Sequence, residues 1–162
     1  MKNSKIYGFI IVVTMIIISC STDDNENNQN STIQIQEAQS TAQNGTWRIT
    51  NFNDSGQDET SDFNGYTFTF AADGTLTATN GNNTLTGSWS VTDDSSSNDD
   101  DDDDNDSSSD IDFNIFFPVS ESNDFEDLND DWDIMSITDN RIELRDVSGG
   151  NGGIDVLVFE RN

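Results

Sequence analysis

The chain is 162 residues long and carries 32 Asp and Glu against six Lys and Arg, a net charge of −26, with no His and a single Cys. This balance excludes a nucleic-acid binder, which needs a basic face for phosphate, and the missing His excludes Ser-His-Asp and Cys-His catalysis. One Cys excludes an internal disulfide and a Cys/His zinc site, and the length suits one domain of roughly 100–200 residues.

Lys2 and Lys5 precede an almost wholly apolar run from Ile6 to Ile18. That run fits the core of a signal peptide and falls short of the roughly 20 residues a bilayer span needs. It ends in Ile17-Ile18-Ser19-Cys20. This resembles a bacterial lipobox, with Ile17 where Leu is usual. The resemblance implies a leader over residues 1–19, a diacylglyceryl group on the Cys20 sulfur and a further acyl chain, such as palmitate, on its amine. Two or more chains hold a protein stably to a membrane. The next residues, Ser21-Thr22-Asp23-Asp24-Asn25-Glu26, resemble the surface-export signal of some outer-membrane lipoproteins. The expected location is the outer membrane, lipid-anchored and facing the cell surface. Cleavage before Cys20 removes both Lys, leaving Arg48, Arg141, Arg145 and Arg161 as the basic residues.

Residues 20–44 read as the lipidated Cys and a flexible polar tether. Asn, Gln, Ser, Thr and acids dominate there, and such a segment buries too little apolar surface to offset the entropy of ordering.

From Gly45 the pattern changes to a period of two, bounded by Gly, Asn and Asp. It predicts eight strands. The first covers Thr46 to Phe52. The second holds Tyr66, Phe68 and Phe70 on one face, and Asp73-Gly74 turns the chain into the third, Thr75 to Thr79. Leu85, Gly87, Trp89 and Val91 align on the fourth. Ile111, Phe113, Ile115 and Phe117 align on the fifth, which Pro118 closes. Trp132 to Ile137, Ile142 to Leu144 and Ile154 to Glu160 complete the set. The fold class is all-β: an eight-stranded up-and-down antiparallel barrel, with a β-sandwich as the alternative. Residues 93–110 hold ten Asp, six Ser and two Asn, which reads as a solvated, disordered acidic loop. Its spacing fails a calcium hand, since the sixth position from Asp99 is Asp104 and the twelfth is Asp110 rather than Gly and Glu. No metal site is assigned.

Gly45-Thr46-Trp47, eight short strands and a late Arg161 together resemble the lipocalin-like domains, across residues 45–162. The motif echoes forty-two residues on in Gly87-Ser88-Trp89. The resemblance implies that Trp47 packs near one end of the barrel with Arg161 lying across it. It also implies a binding module: a barrel holding one small apolar or amphiphilic ligand, with Phe68, Phe70, Phe113 and Trp132 as candidate lining. The alternative is a filled barrel that acts through its loops as a surface interaction or structural protein, with Trp47, Trp89 and Trp132 as plain core. Only scattered carboxylates remain for acid/base work, so no catalytic residue, enzyme activity or cofactor is expected. A monomer is expected, because a closed barrel leaves no edge to pair and the charge repels copies.

Overall fold

The computed structural model describes residues 26–93 (side chains from Asn30), 111–147 and 153–162. The leader 1–19, Cys20 and the acidic run 94–110 lie outside the described residues.

The elements in chain order are α1 (Glu26–Gln43), β1 (Trp47–Asp54), β2 (Gln57–Asp58), a 3-10 helix (Thr60–Phe63), β3 (Thr67–Phe70), β4 (Thr75–Thr79), β5 (Thr84–Asp93), β6 (Ile111–Phe116), β7 (Asp130–Thr138), β8 (Arg141–Val147) and β9 (Ile154–Arg161). The order in the sheet is β2-β1-β3-β4-β5-β6-β7-β8-β9, and β1 also pairs with β9. Leaving aside β2, which is a short flap on β1, eight antiparallel strands close into a barrel. The closing ladder runs from Trp47↔Arg161 to Asn53↔Val156, with a register shift between Ile49 and Asn51. This closure excludes the sandwich, because each strand of the barrel has two hydrogen-bonded neighbours.

The period of two places the core. In β6, Ile111, Phe113 and Ile115 are buried while Asp112 and Asn114 are half-buried and Phe116 is exposed. In β4, Leu76 and Ala78 point inward. The β3–β4 turn is made as expected: Gly74 has φ +82°, and the Asp73 carboxylate accepts the Thr75 N–H at 3.0 Å. Gly87 serves a different purpose, since a Cβ there would collide with the Phe116 carbonyl of the neighbouring strand.

The tether reading of residues 20–44 needs correction. Residues 26–43 are helical, although Asn, Ser, Thr and Gln are indifferent helix formers and the last turn offers no basic residue to the helix dipole. Packing supplies the order. Ala38 and Ala42 are buried and Ile35 rests on the core. α1 touches β3, β5 and β7, which are not neighbours, so it crosses the mouth of the barrel rather than following one wall. The opposite end is covered too. The seam between β1 and β3 is paired at Trp47↔Phe68. Beyond that pair the 3-10 helix turns Phe63 onto Phe52, with ring centroids 5.5 Å apart. The β6–β7 connection buries Phe117, Phe125 and Leu128.

Two outcomes follow. Gly87→Ala is expected to lower stability by about 1–3 kcal/mol through overpacking, read as a lower urea midpoint at unchanged slope; an unmoved midpoint would refute the close approach. Ala42→Glu, which places a carboxylate in the α1–barrel seam, is expected to raise amide exchange across residues 30–43 while the strands stay protected.

Candidate functional site

Trp47 opens β1 at the end crossed by α1. Its indole N–H donates to the Ala42 carbonyl at 2.8 Å, and the Arg161 guanidinium carbon stands 5.0 Å from its ring centroid. Gly45, at φ +104°, passes beneath the Arg161 side chain, whose Cδ lies 3.6 Å from where a Cβ would sit. A guanidinium over an indole is worth about 0.5–2 kcal/mol depending on desolvation. Trp89 and Trp132 are likewise buried, with their N–H groups on the Ala71 and Leu128 carbonyls.

The four aromatic residues read from sequence as ligand lining are placed elsewhere in function. Phe68 and Phe113 are 0 % exposed, and Phe70 and Trp132 are 1 % exposed. They pack ring against ring: Phe70 on Phe113 at 5.4 Å, Phe68 and Phe70 on Phe159 at 5.3 and 5.5 Å, and Trp132 on Phe52 at 6.3 Å. Side chains without accessible surface face no space that a water could enter. An eight-stranded barrel has an interior just wide enough for side chains or one small ligand, and here large rings fill it. The lining assignment is therefore corrected to core.

Concave space lies on the outer surface instead. A groove of about 600 Å³ runs across β5, β6 and β7, with Ser88, Ser90, Asn114 and Phe116 along it and Asp73, Asp130 and Asp131 at its banks. Its residues come together through register: Ser90 pairs with Asn114 and Asn114 with Asp131, while Ser88 pairs with Phe116. Asn129 shapes one bank by holding the Phe117 N–H and C=O at 2.5 and 3.0 Å. Burial pushes the Asp130 carboxyl up to about 6. A hydrogen bond with the Asp131 carboxylate and the charge of Asp146 act in the same direction. Asp73 is held below the usual carboxylate range by hydrogen bonds from the Thr75 hydroxyl and N–H. A second groove of about 480 Å³ lies by Asp62, Tyr66, Asn82 and Phe125, and a third of about 260 Å³ lies between α1 and β7. Among the described residues no three acid or Cys side chains converge in a way that would hold a metal ion. The 600 Å³ groove was not read from sequence. Its one signal was Phe116, an aromatic out of phase with Ile111, Phe113, Ile115 and Phe117.

The basic residues are segregated. Arg48 on β1 pairs with Glu160 at 3.1 Å, and Arg141 on β8 with Glu143 and Glu160 at 3.2 and 3.4 Å. Arg145 on β8 pairs with Asp133 at 3.4 Å, and Arg161 ends β9. β3, β4, β5 and β6 hold no basic residue. In the ring of eight strands β5 stands across from β9; the groove's lining holds Asp73, Asp130 and Asp131 and no basic residue, and Arg145 of β8 stands beside its β7 strand, paired with Asp133.

No protein-family model and no curated protein matches this chain. Among solved structures it is similar to the crystal structure, at 1.00 Å resolution, of a DUF4847 family protein from Bacteroides vulgatus ATCC 8482, with a TM-score of 0.44 and 18 % identity over 75 % of this chain and 94 % of the other.

The raised Asp130 has a measurable consequence. The unfolded carboxyl ionises near 3.8 and the folded one near 6. The native state therefore holds the extra proton in that window, and stability present below it is lost as the pH rises through it. Asp130→Asn is expected to raise stability at pH 7.5 by about 1 kcal/mol once solvent screening is allowed for. The gain should disappear near pH 4, followed by urea denaturation at both pH values.

Proposed function

We propose that this chain is a lipid-anchored lipoprotein with a lipocalin-like barrel, displayed on the cell surface, that binds through its outer wall and loops and performs no catalysis. The observation that carries this reading is the packed interior. Phe68, Phe70, Phe113 and Trp132 occupy the space a small apolar ligand would need, and α1 and the Phe125 segment cover the two ends. The barrel then serves as a rigid scaffold on which surface grooves are held in register. The anchor rests on the signal-peptide pattern of residues 1–19 and on Cys20, and the display on the acids that follow it. The absence of catalysis rests on the poverty of the residue set. With no His, no Lys after the leader and one thiol assigned to lipid, only hydroxyls and carboxylates remain, without an imidazole or amine base to activate them.

Two measurements test the reading on the full chain. Cys20→Ser is expected to abolish incorporation of labelled palmitate and to move the protein from the membrane fraction to the soluble one; retention in the membrane would refute the anchor. A thermal-shift series with long-chain fatty acids and bile acids is expected to give no saturable rise. A ligand at a hundred times its dissociation constant adds about 2.7 kcal/mol, or several degrees at roughly 4 °C or more per kcal/mol. A rise of that size would restore the barrel interior as a ligand site.

A further inference from the structure

Phe116 is 54 % exposed and lines the 600 Å³ groove together with Ser88, its ladder partner, and with Asn114, Asp73, Asp130 and Asp131. An isolated exposed aromatic is ordinary on a protein surface. This one sits in a concavity whose lining includes no basic residue, within one or two register steps of Asp130 and Asp131. We propose that the groove takes an arginine side chain presented by a basic segment of a partner protein, its guanidinium stacked on Phe116 and hydrogen-bonded to the Asp130 and Asp131 carboxylates. The assignment rests on the outer-wall reading of function given above.

Charge complementarity selects the occupant. The chain carries −26 overall, and its four described arginines lie on β1, β8 and β9, engaged with Glu160, Glu143, Asp133 and Trp47. A cationic segment is therefore attracted to the groove, whose lining holds three Asp and no basic residue, and an anionic lipid surface is repelled from it. The shape of the groove selects arginine over lysine. A planar guanidinium stacks on a ring and offers parallel donors to two carboxyls, whereas an ammonium is a compact, strongly hydrated point charge. A neutral polyol would leave the repulsion between Asp130, its neighbour Asp131 and Asp146 on β8 unrelieved. A cation removes it, so affinity is coupled to the Asp130 proton.

The test uses the full chain in neutral detergent with fluorescent acetyl-tetraarginine amide, followed by anisotropy at about 150 mM salt, where long-range attraction is screened. Phe116→Ala is expected to weaken binding about threefold, the share of an exposed cation–π contact. Asp131→Asn is expected to weaken it about tenfold through one charge-assisted hydrogen bond. Asp139→Asn, a change of the same charge on the β7–β8 turn, should change affinity little. Binding should fall between pH 7 and 5.5, above the range where ordinary carboxylates take up protons at about pH 4. Equal losses for Asp131→Asn and Asp139→Asn, with no effect of Phe116→Ala, would mean diffuse attraction to an acidic surface. That outcome overturns the groove assignment and leaves the outer-wall reading standing. Displacement of the peptide by equimolar spermidine would overturn the protein partner in favour of a free amine. Unchanged melting temperatures of the variants exclude loss of fold as the cause.

Discussion

Trp47 stands where the barrel closes and where the helix that covers it is tied down. Its backbone pairs with Arg161 of β9 on one side and Phe68 of β3 on the other. Its ring lies under the Arg161 guanidinium, and its N–H holds the Ala42 carbonyl of α1. α1, β3 and β9 thus meet at one residue of β1. The rest of the strand ladder joins neighbours in sequence and needs little long-range closure. The β1–β9 seam joins the two ends of the domain, so the entropy of closing the longest loop is offset here. An indole suits that task because it supplies a large buried area and one donor that must be satisfied when buried.

The interior is built on the same economy. Phe125 touches Phe68 at 6.1 Å, Phe68 touches Phe159, Phe159 touches Phe70, and Phe70 touches Phe113 and Trp89. Ring contacts, edge-to-face except for the tilted Phe68–Phe125 pair, run from one end of the barrel to the other. Rings packed this way interlock like a crystal rather than flow like oil. Expanding the interior to admit a ligand would break several contacts at once, each worth about 0.5–1.5 kcal/mol beyond its buried area. On the proposed reading the functional surface lies outward, on side chains whose positions the strand registers determine.

The eight strands were legible because most alternate and are bounded by Gly, Asn, Asp or Pro, while β9 shows as a short apolar run, with Leu157, Val158 and Phe159 all buried. Strand boundaries shifted by a residue or two, as with β7 beginning at Asp130 before its first large apolar residue, Trp132. Three things were hidden. Helix α1 has neither a strong apolar stripe nor good propensity. Ala38 and Ala42 look unremarkable until a barrel mouth lies beneath them. The 3-10 helix and the Phe125 segment are surrounded by Asp, Ser and Asn, and a lone Phe in such a stretch carries no period. The filled interior was hidden for another reason, since an aromatic that lines a cavity and one that fills it give the same alternation. The two Gly-x-Trp motifs look like repeats, yet their glycines answer different demands: a left-handed backbone at Gly45 and a crossing carbonyl at Gly87.

The order in α1 also sets a length scale. A helix beginning at Glu26 leaves only a few residues between it and position 20, and that stretch reaches at most about 20 Å when fully extended. An eighteen-residue flexible spacer is replaced by a rod of about 27 Å lying across the base of the barrel. Under the proposed anchoring at Cys20, the domain is held on a short leash. In that proposed arrangement the end crossed by α1 is left too little headroom for a folded partner to slip beneath, and the side walls become the natural faces for approach.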